Sequence, residues 1–92
     1  MKATFIHKEH IPFLSFPLGD VLVEEERKRE RERSLYYAML SGNTIQHKVK
    51  ILFKDEAGIK MVETTVWFAD KEHILLKGGI SLPVKRILNV QL

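Results

Sequence analysis

His7-Lys8-Glu9-His10 is the only cluster in the chain with metal-ligand spacing: two histidines three apart with a carboxylate between them. A metal site needs three or four donors, and no third or fourth follows. Read as an extended segment, the stretch also sends His7 and His10 to opposite faces. No metal and no cofactor is expected. Nucleophilic catalysis needs a hydroxyl or thiol activated by an oriented base. Ser15, Ser34, Ser41 and Ser81 stand in no such context, and the chain has no cysteine. Gly78-Gly79 is too short for a phosphate cradle and lacks the accompanying lysine pattern. The carboxylates Asp55, Glu56, Asp70 and Glu72 fall in turns, where solvation explains them, which leaves Glu63 alone on a strand. The expectation is a non-enzymatic protein.

What remains is binding chemistry. Lys48, Lys50 and Lys54 alternate with Val49, Ile51 and Phe53, and Trp67 lies on the next predicted strand. If Asp55–Gly58 closes a four-residue loop, Lys54 faces Ile59, Leu52 faces Met61, Lys50 faces Glu63 and Lys48 faces Thr65. Val49, Ile51, Phe53, Val62, Val66 and Phe68 then share the inner face. Lys48, Lys50, Leu52 and Lys54 lie outside beside Met61, Glu63, Thr65 and Trp67. Aligned lysines near a tryptophan are the ingredients of a phosphate-and-stacking surface for single-stranded nucleic acid, RNA included. Lys85-Arg86 would extend it. The competing reading is that Leu52, Met61 and Trp67 form an apolar patch covered by the N-terminal arm or a partner.

These residues need elements to hold them. Residues 1–19 carry Phe5, Ile6, Ile11, Phe13, Leu14, Phe16 and Leu18, too apolar for a disordered tail. Pro12 and Pro17 deny them a helix or a central strand, so an extended arm with an edge strand is predicted. A helix follows over residues 20–41, with Asp20 as N-cap and Gly42-Asn43 as its stop. Its segment Glu24–Arg33 carries five glutamates and five bases. Pairs such as Glu24–Lys28, Glu25–Arg29 and Lys28–Glu32 support it locally, but it offers no apolar stripe. Docking is therefore expected near the C-terminal end, through Leu35, Tyr36, Met39 and Leu40, the candidate helix interface. Val21–Val23 either anchors the other end or prolongs the arm.

The charged run has two functional readings beside a plain solvated face. It could form an arginine-rich RNA-binding helix, but its glutamates cancel the charge and repel phosphate. Contact with a second copy, through interlocking charges and the Leu35–Leu40 patch, fits better. No apolar heptad runs through it to make a coiled coil.

From residue 45 the period becomes alternating, and residues 45–92 read as strands. Predicted strands cover His47–Lys54, Ile59–Phe68, His73–Lys77 and Ile80–Leu92. In the last, the apolar phase shifts near Pro83 and Arg86, which predicts a bulge or short 3₁₀ turn and five strands in all.

The chain has 92 residues, 45% of them hydrophobic, which suits one domain that folds without disulfides. Its net charge is +3, and all of the excess lies after residue 33. Ile11–Leu18 is broken by prolines and does not read as a secretory signal, and no stretch reaches membrane-span length. A cytoplasmic location without membrane contact is expected.

A helix followed by a strand meander resembles SH3-like small barrels, Sm-like ones in particular, over roughly residues 34–92. The string Gly42-Asn43, Val62–Trp67, Leu76–Gly79 and Leu82–Ile87 also resembles a family of short bacterial proteins of unknown function, a likeness that implies no activity. The expected fold is α+β: an arm, one charged helix, and a five-strand antiparallel meander closing into a small barrel. The expected function is a binding module for another protein or a second copy. Single-stranded nucleic acid is the alternative.

Overall fold

A computed structural model describes residues 2–92, so Met1 of the arm lies outside the described residues. Along the chain run β1 (Thr4–Phe5), a 3₁₀ helix (Lys8–Phe13) and α1 (Glu25–Ile45). There follow β2 (Val49–Lys54), β3 (Ile59–Thr64), β4 (Val66–Ala69), β5 (His73–Leu76) and β6 (Ile80–Pro83). A 3₁₀ turn (Val84–Arg86) and β7 (Ile87–Gln91) complete it. The fold class is α+β, with one main helix.

Alternation decides the central strands. Val49, Ile51 and Phe53 are fully buried while Lys50 and Lys54 are exposed, and Phe53 is the largest fully buried side chain. The β2–β3 register is the one the turn implies, with Lys54 opposite Ile59, Leu52 opposite Met61 and Lys50 opposite Glu63. Asp55 secures that turn. Its carboxylate accepts from the Ala57 and Gly58 backbone N–H groups and from Lys60 Nζ at 2.8–3.2 Å.

The strands do not close one barrel. They form two sheets, of order β1-β3-β2-β7 and β4-β5-β6, with every pairing antiparallel except β1 with β3. The predicted strand Ile59–Phe68 breaks at Thr65, and Thr64, Thr65 and Val66 are all buried there. The chain thus leaves one sheet and enters the other. Where a barrel would join its edges, α1 packs instead against both β4 and β7, each an edge strand. The 3₁₀ helix Lys8–Phe13 packs on β6, the remaining edge of the three-stranded sheet. Helical cover is a standard way to protect a sheet edge.

The predicted phase shift near Pro83 is the 3₁₀ turn Val84–Arg86. A second irregularity was not foreseen. The β4–β5 register slips between Val66 and Phe68, making Trp67 the extra residue. A bulge inverts the phase beyond it, so Phe68 is 53% exposed rather than on the inner face.

The helix departs from expectation at both ends. It starts at Glu25, and Asp20 is not its cap. It runs through Gly42 to Ile45 and closes at Gln46, which adopts the left-handed conformation. Gly42 serves close packing instead: a Cβ there would collide with the Val66 carbonyl oxygen. The arm is also not simply extended. His10 N–H donates to the His7 carbonyl and Leu14 N–H to that of Ile11, two successive turns that use no nitrogen from Pro12. Ile11 is buried in the core, and the Phe16 ring lies 6.0 Å from that of Phe53. Among the described residues no helix is long and apolar enough to cross a membrane.

Candidate interaction surface

The charged run of α1 is not uniformly solvated. Arg31 is only 7% exposed. Its guanidinium donates to both carboxylate oxygens of Asp20 at 2.9 Å and to the Ile87 carbonyl at 3.0 Å. The Arg31 hydrogen bond holds the Asp20 carboxyl below its ordinary range, burial opposing it. Asp20 also accepts the Leu22 N–H, and the Val21 N–H reaches the Lys85 carbonyl. The helix is thereby fixed at mid-length as well as through Leu35, Ala38 and Gly42, all buried.

With that face down, the opposite flank stays open. Arg29, Arg33, Tyr36 and Leu40, at i, i+4, i+7 and i+11, form one exposed stripe. At the far end Asn43 Nδ2 donates to the Trp67 carbonyl at 3.2 Å, beside the Gly42–Val66 contact. α1 therefore runs antiparallel to β4, and its stripe faces the turn that follows this strand. Between helix and turn lies a groove of about 640 Å³. Leu35, Ala69 and Val84 give it an apolar floor; Arg29, Arg33, Tyr36, Tyr37 and Lys71 stand around it. Asp70 shapes the turn by accepting the Glu72 and His73 N–H groups at 2.8 Å. Those two bonds hold its carboxyl below the usual value, that from His73 contributing more.

The predicted residues fall into three groups. Lys48, Lys50 and Lys54 are exposed, Leu52 and Met61 half-buried, and Lys85 exposed. They do not share a sheet with Trp67, which belongs to β4. Thr65 is buried rather than outward, and no Lys48–Thr65 pair forms. The arm adds β1 beside β3, with Phe5 opposite Met61.

Arg86 departs most from expectation. It is buried, donating from Nε to the Lys54 carbonyl at 3.0 Å and from a terminal nitrogen to that of Gly19 at 2.8 Å. A side chain spent on two internal carbonyls is not free to meet phosphate. In the helix patch, Leu35 is buried and Met39 half-buried against the core, while Tyr36 and Leu40 are exposed. Leu40 is thus surface, not the core anchor expected.

Arg29, Arg33, Tyr37 and Lys71 carry no site assignment in the sequence reading, and Phe68 is assigned there to the inner face. The helical spacing of Arg29, Arg33, Tyr36 and Leu40 was the available signal; nothing local marks Phe68 or Lys71. His7 and His10 do approach, with ring centroids 6.0 Å apart, because i and i+3 eclipse in a 3₁₀ helix. Among the described residues no group of three or more histidines and carboxylates could hold a metal. Comparison with protein-family models, curated proteins and solved structures finds no match for this chain.

Proposed function

We propose that this chain is a non-enzymatic binding module that holds another protein chain in the groove between α1 and the β4–β5 turn. One observation carries the reading: Tyr36 and Tyr37 are exposed at the groove, and Leu40, Trp67 and Phe68 are exposed on the stretches of α1 and β4 that lead out of it. Exposed apolar clusters rimmed by charge mark contact surfaces, and aromatic side chains with arginine are the usual anchors of such contacts. The groove is also within the size range that holds a side-chain cluster or small ligand.

The small-barrel likeness belongs to the same reading. A bent passage from β3 to β4, a 3₁₀ turn before the last strand, and pairing of β7 with β2 support it. Single-stranded nucleic acid remains the lesser reading. Its lysine row is exposed, but Glu63 sits opposite Lys50, Trp67 is on the other sheet, and Arg86 is engaged internally.

Capture from native extract separates the two. Proteins retained by the wild type should survive nuclease, disappear with Tyr36→Asp plus Leu40→Asp, and persist with Lys48→Ala plus Lys50→Ala. Retention that is lost to nuclease and to the lysine variant would replace the protein reading with the nucleic-acid one.

A further inference from the structure

Both banks of the groove carry cations that the chain itself leaves free. Arg29 and Arg33 on α1 and Lys71 on the β4–β5 turn are exposed and make no ion pair among the described residues. The other bases that line it are engaged, Arg31 with Asp20 at 2.9 Å and Lys28 with Glu25 at 3.4 Å. Two carboxylates line it as well, Glu32 and Asp70. Asp70 is held by the Glu72 and His73 N–H groups at 2.8 Å, which leaves Glu32 as the one unengaged acid of the lining. Three free cations therefore stand against one free carboxylate.

The free charge and the apolar surface lie side by side. Arg29 and Arg33 are one turn apart, about 6 Å along the axis, and Tyr36 follows on the same stripe. Leu35, Ala69 and Val84 form the floor between the banks. We infer, resting on the reading of this groove as a protein-binding surface, that its occupant is an acidic segment of another protein whose carboxylates adjoin large apolar side chains. The carboxylates meet Arg29, Arg33 and Lys71, and the apolar side chains go to the floor and to Tyr36. Arginine suits its part because a planar guanidinium takes a carboxylate by two parallel hydrogen bonds. Exposed ion pairs contribute little individually and are screened by salt. They select the occupant, and apolar burial supplies most of the affinity. A nucleic-acid strand fits less well: with a charge on every nucleotide, it has no uncharged stretch to lay past Glu32 and Asp70.

Fluorescence anisotropy with labelled synthetic peptides tests this on the full chain. One peptide joins a block of aspartate and glutamate to a block of leucine and phenylalanine. A second replaces its acids by lysine, and a third replaces its apolar residues by serine. The first should bind, less tightly as salt rises, and the other two should each bind about tenfold more weakly or worse. Arg29→Glu with Arg33→Glu should weaken the first peptide by about tenfold or more, because attraction becomes repulsion at two positions. Lys71→Glu, outside the helix, should weaken it by about threefold. Lys48→Glu with Lys54→Glu makes the same change of charge around β2, away from the groove, and should leave binding as it was. Circular dichroism checks that α1 persists in each variant.

No binding of the first peptide at low salt would overturn the acidic occupant, as would equal binding of either control peptide. So would equal losses from the Lys48, Lys54 pair and the Arg29, Arg33 pair, which would reduce the effect to net charge. A single-stranded oligonucleotide that displaces the first peptide would replace the occupant with nucleic acid. Sedimentation velocity showing a dimer that the Arg29, Arg33 pair abolishes would replace it with a second copy. The groove reading fails separately. Protein captured from native extract that is lost with Tyr36→Asp plus Leu40→Asp, yet kept with Arg29→Glu plus Arg33→Glu, would sink the acidic segment and leave the groove standing. Capture indifferent to both pairs would sink the two together.

Discussion

Arg31 grips Asp20 fork to fork, two parallel hydrogen bonds of 2.9 Å joining the middle of α1 to the chain ahead of it. The same guanidinium holds the first residue of β7 through the Ile87 carbonyl. One side chain therefore ties helix, lead-in and last strand together, and it sets which flank of α1 faces outward.

Removing it should be costly while its neighbour is nearly silent. Arg31→Ala leaves Asp20 and the Ile87 carbonyl without their donor, a loss of about 3 kcal/mol, the low end for a broken buried pair because Asp20 keeps some contact with water. Glu30→Ala, one residue away and exposed, should stay within about 0.5 kcal/mol. Arg31→Lys should not restore stability, since an ammonium cannot make the paired bonds. Urea melts measure all three, and equal effects at Arg31 and Glu30 would show that the pair is not what fixes the helix.

Gly42→Ala opposes two effects of known size. Helix propensity alone favours alanine by about 1 kcal/mol. Against it, the new methyl would strike the Val66 carbonyl oxygen and lie 3.0 Å from Thr65 Cγ2. Backbone cannot swing aside as a side-chain end can, and overpacking costs about 1–3 kcal/mol. The expected result is a lower melting temperature, and a higher one would mean that α1 lifts from β4 without penalty.

These two positions also show where sequence reasoning stops. The β2–β3 register was legible because both the turn Asp55–Gly58 and the alternation of Val49, Ile51 and Phe53 are local signals. Arg31 was not, since its partners are 11 and 56 residues away and its neighbours are all charged. Arg86 is the same case, with acceptors on Lys54 and Gly19. Gly42 reads as a helix stop until the strand beneath it is known. The break at Thr65 and the bulge at Trp67 leave no mark in composition, and they separate the tryptophan from the lysine row. Half of the candidate surface, the helical stripe, was present as spacing; the β4–β5 turn across from it comes only from tertiary packing.

Acid should unfold the protein through Asp20 and Asp55. Arg31 lowers the Asp20 carboxyl. For Asp55, burial opposes ionisation, but bonds from Gly58, Lys60 and Ala57 outweigh it and the net direction is also down. Below the ordinary value of 3.8, the unfolded chain binds protons that the folded chain still resists. Stability is therefore full above that value and is lost as pH falls through the folded values. Urea midpoints measured from neutral pH downward should show this decline, and Asp20→Asn or Asp55→Asn should flatten it while lowering stability at neutral pH. An equally steep decline in both variants would assign the acid sensitivity elsewhere.

The arm should prove to be part of the fold, and two of its residues separate that from a general effect of deletion. Ile11 is fully buried among core residues, while Phe13, two positions on in the same 3₁₀ helix, is 86% exposed. Ile11→Ala removes packed methyl groups and leaves a cavity under the β6 edge, at a cost of about 2–5 kcal/mol. Phe13→Ala removes a larger side chain from solvent and should stay within about 0.5 kcal/mol. Deleting residues 1–18 should cost more than Ile11→Ala alone, since Phe16 also leaves the Phe53 ring and β1 leaves the edge of β3. Thermal melts of the two point variants and the truncation test the order. A truncated chain that melts with the full-length protein would make the arm a free tail, with Ile11 awaiting a partner.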